Sequence, residues 1–180
     1  LFDARQHRFK SFKVSPDAST NDVTWIHEDR KGKIWLGTRG GLFNFDRQKS
    51  VAEKVEDSSI KTNDESSQVV WSVVDDQNGN LWIAYQAHGV SRYDPVTHQF
   101  EHFKRDPNSP NAHGFNDTRR LYVDNNNNVM AATYGDGLYT FDSRKREFMK
   151  INHDLSEKGA TVWSMLLDRN SNLWVGDGSH

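Results

Sequence analysis

The chain has 180 residues, a formal net charge of −2 at pH 7 and no cysteine. A chain of this length can bury a core of its own as one ordinary domain. The lack of cysteine excludes thiolate metal sites and disulfides. The near-neutral net charge argues against nucleic acid as a partner, because proteins that bind nucleic acid carry a basic patch.

The first residues match the second half of a unit that recurs later in the chain. The stretch from Phe2 to Phe12 repeats the pattern of aromatic and Asp residues found from Tyr93 to Phe103. Because Leu1 and its neighbours are typical of the middle of a strand, we expect a piece of a longer protein whose targeting segment lies elsewhere. No apolar run is long enough to cross a membrane, so we expect no direct membrane contact from this segment.

One sequence motif, whose copies are called phrases below, then recurs four times along the chain. An Asp opens a tight turn, an apolar-Trp pair follows, and small residues and a Gly lead into an aromatic strand. The turns open at Asp29, Asp76, Asp124 and Asp168, and the anchors Trp35, Trp82, Met130 and Trp174 lie 47, 48 and 44 residues apart. A fixed period in this range is typical of propellers and solenoids.

The second copy shows the unit best. Residues 70–75 are β-branched and aromatic, which indicates a strand buried on at least one face. Turn-forming residues at 76–80 and 94–98 separate it from further short strands. The predicted strands of this unit are 70–75, 81–84, 90–93 and 99–103. Four short antiparallel strands without helical periodicity predict an all-β fold, a β-propeller of four-stranded antiparallel blades.

The phase of the repeat divides the chain into about four repeat equivalents, three whole blades plus two half blades. Residues 1–19 are the second half of a blade and residues 159–180 the first half. The whole blades are 20–65, 66–113 and 114–158. The two halves could pair and close a four-bladed ring, or the chain could be an open arc, part of a larger propeller, whose edges invite self-association. We favour the arc.

The recurring Trp and Asp residues have structural explanations. We expect each anchor Trp to fill the layer between its own sheet and the next one, as a large aromatic side chain does in a core. We expect each turn-opening Asp to bond the backbone of its own turn.

The phrases resemble the two-component regulator propeller repeat, with the best matches from Asp29 to Asp46 and from Val70 to Asp94. The third copy departs from the pattern at Arg119 and Met130, where the other copies favour Trp. The resemblance implies the periplasmic sensor region of an inner-membrane regulator that carries a histidine kinase, often of the hybrid type, or a diguanylate cyclase output domain. The parent regulator and the remainder of its propeller would then be partners of this chain.

Two sets of residues are candidates for a ligand site around the propeller axis. Long polar loops enter the innermost strands at 14–22, 52–68, 104–117 and 152–160, and binding residues concentrate on such loops. The loops between the second and third strands open on the same face, and their residues differ from copy to copy. The candidates in them are Arg39, Gln86, His88, Tyr134 and Asp136.

The second set lies at the start of the innermost strand, where Trp71, Arg119 and Trp163 occupy one repeat position. Aromatic and Arg side chains near the axis could stack on a sugar or hold a carboxylate. Packing within the central channel is the alternative explanation.

The leading function is a noncatalytic sensor or ligand-binding module, with a carbohydrate or another small polar molecule as its ligand. A protein-interaction scaffold is the first alternative. A propeller glycosidase or lyase is less favoured, because a glycosidase needs two carboxylates at a defined separation and no two are paired by their spacing. We expect no catalytic residue, no cofactor and no metal ion.

Overall fold

The computed structural model describes residues 2–16, 19–60, 68–105, 108, 115–151, 161–170 and 172–178. The regular elements with complete bounds in this part of the chain are β-strands and one 3-10 helix at Ser19–Asn21, and residues 115–116 are helical as well. No helix in the described part is long and apolar enough to cross a membrane.

Within the described residues, sixteen strands follow one another in chain order. The first hairpin is β1 (Phe2–Asp3) and β2 (Arg8–Phe9). The first whole sheet is β3 (Val23–Glu28), β4 (Ile34–Thr38), β5 (Gly41–Asp46) and β6 (Val51–Lys54). The second is β7 (Val70–Asp75), β8 (Leu81–Tyr85), β9 (Val90–Asp94) and β10 (Gln99–Phe103). The third is β11 (Thr118–Val123), β12 (Val129–Thr133), β13 (Leu138–Asp142) and β14 (Glu147–Lys150). The last hairpin is β15 (Val162–Leu167) and β16 (Leu173–Asp177).

Each whole sheet is a meander in which every strand pairs antiparallel with the next one along the chain. The first strands of successive sheets contact one another, β3 against β7, β7 against β11 and β11 against β15. Strands that lie side by side at the inner edge, with later strands running outward, are the arrangement of propeller blades. The predicted four-stranded blades are therefore confirmed.

The two end hairpins, β1–β2 and β15–β16, form separate two-stranded sheets. The described residues therefore form an open arc of three blades and two half blades and do not close into a four-bladed ring. The predicted unit boundaries at 65/66, 113/114 and 158/159 lie outside the described residues. The boundary at 19/20 falls within the 3-10 helix, and these boundaries stay predictions.

The Asp that opens each turn organises it as the sequence predicts. The Asp76 carboxylate accepts hydrogen bonds from the backbone N–H groups of Asn78 and Asn80, both at 2.9 Å. Its second oxygen accepts the indole N–H of Trp82 at 3.0 Å. The first and fourth copies hold Trp35 and Trp174 in the same way, at 2.8 and 2.9 Å. The carboxylate thus fixes both the turn and the direction of the anchor Trp.

Two of the three anchor Trp side chains fill the layer between blades as predicted. Trp35 belongs to a buried cluster with Val73 and Ile83 of the next blade, and Trp82 to a buried cluster with Leu121 and Phe148. Both are 2 % exposed. Trp174 is 63 % exposed, because no sheet of the described residues packs against it.

A candidate ligand site at the inner strands

Every blade carries a β-bulge at the start of its innermost strand. The pairing of the first strand with the second skips one residue, and it does so between Val70 and Ser72 and again between Thr118 and Arg120. The skipped residues of the four copies are Thr24, Trp71, Arg119 and Trp163. A bulge leaves its extra residue outside the ladder of the sheet and turns its side chain in a new direction. The repeat position singled out from the sequence is thus a bulge in all four copies.

The loop after the second strand is fixed beside this bulge. The backbone N–H of Tyr134 donates to the carbonyl oxygen of Asp117 at 2.9 Å, and that of Gln86 to Val69 at 3.0 Å. The corresponding bond of the first blade joins Arg39 to Asp22 at 3.2 Å. The two predicted sets of ligand residues therefore start from neighbouring backbone.

Four of the eight predicted residues come together in one row, here called the Trp–Arg ladder: Trp71, Arg119, Tyr134 and Trp163. The guanidinium carbon of Arg119 lies 4.5 Å from the ring centroid of Trp71 and 5.0 Å from that of Tyr134. The Tyr134 and Trp163 rings meet edge to face, with centroids 5.9 Å apart. The row spans three successive inner strands.

Asp117 completes the ladder. Its carboxylate accepts a hydrogen bond from Nη2 of Arg119 at 2.9 Å, and Nε of Arg119 lies 2.9 Å from the other carboxylate oxygen. Burial raises the pKa of Asp117, and the positive charge of Arg119 opposes that rise. The negative charge of Asp117 compensates the positive charge of Arg119 within the site, and both side chains are largely shielded from solvent. The site thus presents aromatic surface and little net charge.

The open end of the ladder consists of Tyr134 and Trp163, which are 48 % and 49 % exposed. Gly178 lies against the Trp163 indole, since a Cβ atom placed there would sit 2.5 Å from its Nε1. A side chain at Gly178 would displace the Trp163 ring. The indole Nε1 of Trp71 is buried and has no hydrogen-bond partner among the described residues. Such a donor is a group that a bound acceptor could satisfy.

Arg39 and Gln86 do not join the ladder. Arg39 is exposed and forms an ion pair with Asp22 of its own blade. Gln86 is half-buried beside the bulge of the second blade. Thr24, the bulge residue of the first blade, donates its hydroxyl to the carbonyl oxygen of Val70 in the next blade. A role for Arg39 or Gln86 in ligand binding stays a prediction.

His88 packs inside the second blade. Its ring contacts those of Tyr85 and His102, with centroids 6.0 and 5.3 Å away. Burial, assisted by the positive charge of Lys104, lowers the pKa of His88 to about 4, so its imidazole is neutral at pH 7. His102 in turn bonds the hydroxyl of Ser91 at 2.8 Å. His88 thus belongs to a polar cluster away from the ladder.

Asp136 is likewise engaged in its own blade. It is 7 % exposed, accepts the hydroxyl of Tyr139 and forms an ion pair with Lys150 at 2.6 Å. Burial, together with the hydrogen bond to Asp136, raises the pKa of Tyr139. The described contacts of Arg39, His88 and Asp136 lie within their own blades, and no described contact joins their side chains or that of Gln86 to the ladder. Within the described residues, no group of three or more His, Asp or Glu side chains is placed to hold a metal ion.

The family model of the two component regulator propeller matches residues 17–40 and 64–86. In these two stretches the chain is similar to the repeat of that family. The matched stretches cover the start of the first and second blades, including the bulge residues Thr24 and Trp71. No curated protein matches the sequence.

Solved structures with the same fold include large bacterial propeller proteins. The extracellular domain of the hybrid two component system BT4673 from B. thetaiotaomicron matches with a TM-score of 0.76 and 21 % identity, over 96 % of this chain and 22 % of that chain. The corresponding domain of BT3049 from the same organism matches with a TM-score of 0.69 and 22 % identity, over 88 % of this chain and 22 % of that chain. Virginiamycin B lyase from Staphylococcus aureus matches with a TM-score of 0.66 and 10 % identity, over 89 % of this chain and 50 % of that chain. The chain thus spans about a fifth of the length of each of the first two structures.

Proposed function

We propose that this chain is a noncatalytic ligand-binding module in the extracytoplasmic sensor of a bacterial signal-transduction regulator, and that the Trp–Arg ladder holds its ligand. The observation that carries the proposal is the convergence of Trp71, Arg119 and Trp163 from three inner strands with Tyr134 from the loop after β12. Each bulge turns a side chain out of its sheet, and the blades provide a rigid support for the row.

The chemistry of the ladder favours a small polar molecule with a flat apolar face, such as a carbohydrate. Tyr134 and Trp163 present half-exposed rings, and an aromatic face stacks on the C–H face of a sugar ring while the rim stays in water. Arg119 is already paired with the carboxylate of Asp117, so an anionic ligand would gain little electrostatic attraction from it. We expect neutral sugars to bind more tightly than acidic ones.

The regulator context is supported by the repeat family and by the propellers of similar fold. Two of these are extracellular domains of hybrid two component systems. A module of this kind would lie in the periplasm and pass its signal through an inner-membrane parent to a histidine kinase or a diguanylate cyclase.

An enzymatic role has less support. The lyase of similar fold shares 10 % identity with this chain, which is a likeness of fold and not of site. A glycosidase requires a pair of carboxyl groups on either side of the bond it cleaves. The carboxylate of the ladder, Asp117, instead accepts a hydrogen bond from Arg119 at 2.9 Å.

The proposal is tested by thermal-shift and calorimetric titrations of the chain with maltotriose, cellotriose, xylotriose and trigalacturonate. We expect at least one neutral trisaccharide to stabilise the chain, and Trp163→Ala to weaken that binding about tenfold or more, as the loss of a stacked aromatic ring predicts. Val96→Ala is the matched control, since Val96 is 74 % exposed and lies in the turn between β9 and β10. Equal weakening by both variants, or binding unaffected by Trp163→Ala, would refute the ladder as the site.

A further inference from the structure

Two arginines follow one another on the innermost strand of the third blade, and they differ in their pairing. Arg119 presents the edge formed by Nε and Nη2 to Asp117, and both nitrogens lie 2.9 Å from a carboxylate oxygen. Arg120 is the next residue of β11, and no carboxylate of the described residues forms an ion pair with it. The charge of Arg119 is therefore compensated within the protein, whereas that of Arg120 is not.

The guanidinium of Arg120 is held in place by its third nitrogen. Nη1 donates to the backbone carbonyl oxygen of Arg119 at 2.9 Å and to that of Trp71, in the second blade, at 3.3 Å. The guanidinium carbon also lies 5.2 Å from the ring centroid of Trp25 in the first blade, whose indole N–H donates to the carbonyl oxygen of Val73 at 2.8 Å. The side chain thus reaches across the inner strands of three successive blades, and contacts with the other two blades fix its orientation.

The remaining edge of this guanidinium, formed by Nε and Nη2, is open. Among the described residues neither nitrogen of Arg120 has a hydrogen-bond partner, and neither is a buried atom, so both remain accessible to solvent. The Nε–Nη2 edge is a planar fork that can bind both oxygens of one carboxylate. Arg119 uses this same edge for Asp117. Arg120 therefore offers a second fork of the same kind to the solvent.

The repeat itself does not require a charge at this position. The residues that follow the bulge in the other three copies are Trp25, Ser72 and Ser164. Arg120 pairs with the small residue Ala132 on the second strand, so the neighbouring strand leaves room beside it. The charge of Arg120 is thus a feature of the third blade alone among the four copies, which favours a specialised contact over a role in blade packing.

The charge of Arg120 is also costly where it lies. Burial, and then the positive charge of Arg119, lower the pKa of Arg120, yet an Arg side chain stays protonated in proteins at pH 7. A charge that is partly removed from water without a counter-ion raises the free energy of the folded chain. An anion bound to the open fork would offset this cost.

We propose that Arg120 is a binding site for the carboxylate of a small molecule, which contacts Nε and Nη2 as Asp117 contacts the same two atoms of Arg119. The site is separate from the Trp–Arg ladder, because the ladder offers aromatic faces to an uncharged ligand and Arg120 offers an uncompensated charge. It does not depend on sugar binding by the ladder. The module would then recognise two kinds of ligand, one uncharged and one acidic.

An NMR titration of the chain with sodium acetate tests this directly, with sodium chloride at the same ionic strength as the reference. We expect acetate to shift the Nε–H signal of Arg120 in a saturable way, together with the indole signal of Trp25 beside it. The Nε–H signal of Arg119 should not move, because Asp117 already occupies its edge, and neither should the indole signal of Trp163 in the ladder. Acetate that leaves the Arg120 signal in place, or that shifts both Arg signals equally, overturns the proposal. So does chloride with the same effect as acetate.

Substitution of Arg120 separates the fork from its charge. Arg120→Lys keeps the positive charge but cannot bind two carboxylate oxygens in one plane. We expect the dissociation constant for acetate, followed at the Trp25 indole signal, to rise at least about fivefold. Arg144→Lys, at an exposed Arg in the turn between β13 and β14, is the matched control and leaves the constant unchanged. Unchanged indole signals of Trp35 and Trp82 verify that the variants are folded, and undiminished acetate binding by a folded Arg120→Lys chain overturns the proposal.

Discussion

Trp82 and Trp174 occupy the same position in two copies of one repeat, and they differ in what lies next to them. Both indoles donate to the Asp six residues earlier, at 3.0 and 2.9 Å. Trp82 is 2 % exposed and Trp174 is 63 % exposed. The Asp–Trp turn is therefore formed locally, whereas the burial of the Trp depends on the neighbouring blade. Stability in such a repeat protein is divided between the repeat itself and its interfaces.

The largest expected effect comes from removing the buried Trp. Trp82→Ala deletes contacts with Phe103, Phe141 and Phe148 and leaves a cavity between the second and third blades. We expect it to lower the free energy of unfolding by about 3–5 kcal/mol, measured by urea denaturation at low protein concentration.

Trp174→Ala is the comparison variant under the same conditions. Because the Trp174 ring is largely in water in the single chain, its removal should change the unfolding free energy by less than about 1 kcal/mol. Equal losses of unfolding free energy from Trp82→Ala and Trp174→Ala would contradict the different burial of the two side chains.

The next largest effect is expected from removing the Asp that holds the turn and its Trp. Asp76→Ala leaves the buried indole N–H of Trp82 and the N–H groups of Asn78 and Asn80 without their acceptor. Asp76 is 3 % exposed, so we expect a loss of about 2–4 kcal/mol in unfolding free energy. The same change at Asp168 should cost less, because water can replace the lost acceptor there.

A smaller effect is the pH dependence of the end hairpin. The hydrogen bonds from Trp174 and then Asn172 lower the pKa of Asp168 to about 2. A carboxyl whose folded pKa lies below its unfolded value of about 3.9 stabilises the fold above that value, and this contribution disappears as the pH falls from about 4 towards 2. Tryptophan fluorescence of the β15–β16 hairpin should follow this change.

Asp168→Asn is the control for the titration. It removes the titrating group, so the part of the fluorescence change between pH 4 and 2 that belongs to Asp168 should vanish. A titration curve that is unchanged in this variant would mean that another group drives it.

The smallest stability effect is expected in the ladder. Arg119→Lys keeps the charge but loses the flat guanidinium between Trp71 and Tyr134 and one of its two contacts with Asp117. We expect a loss of about 1 kcal/mol, measured by thermal unfolding, together with weaker binding of any trisaccharide that the wild type binds. Arg119→Met, which leaves Asp117 without a partner, should cost more than Arg119→Lys.

The blade architecture could be predicted because each local signal agreed with the repeat. The Asp76 turn, the Trp82 anchor and the alternation of residues 70–75 all indicated the same four-stranded unit. The position of Trp71 and Arg119 could also be identified from the period alone. The bulge at that position could not, because a change in strand register leaves no mark in residue type.

The partners of individual side chains were the least predictable feature. His88 and Tyr134 lie in equivalent loops, yet His88 is buried against His102 and Tyr134 is half-exposed beside Trp163. The pairing of Asp117 with Arg119 was missed, although their spacing of two residues across a strand start was visible. Whether Asp117 meets Arg119 depends on the bulge within one strand, and whether Tyr134 meets Trp163 depends on the twist between neighbouring blades. The sequence period specifies neither.

The most direct test of the account is an NMR titration that follows the indole N–H signals of the six tryptophans as neutral trisaccharides are added. We expect the largest shift at Trp163 and a smaller one at Trp71, with Trp35 and Trp82 unchanged. Shifts confined to Trp174, or equal shifts at all six, would contradict the assignment of the ligand to the Trp–Arg ladder.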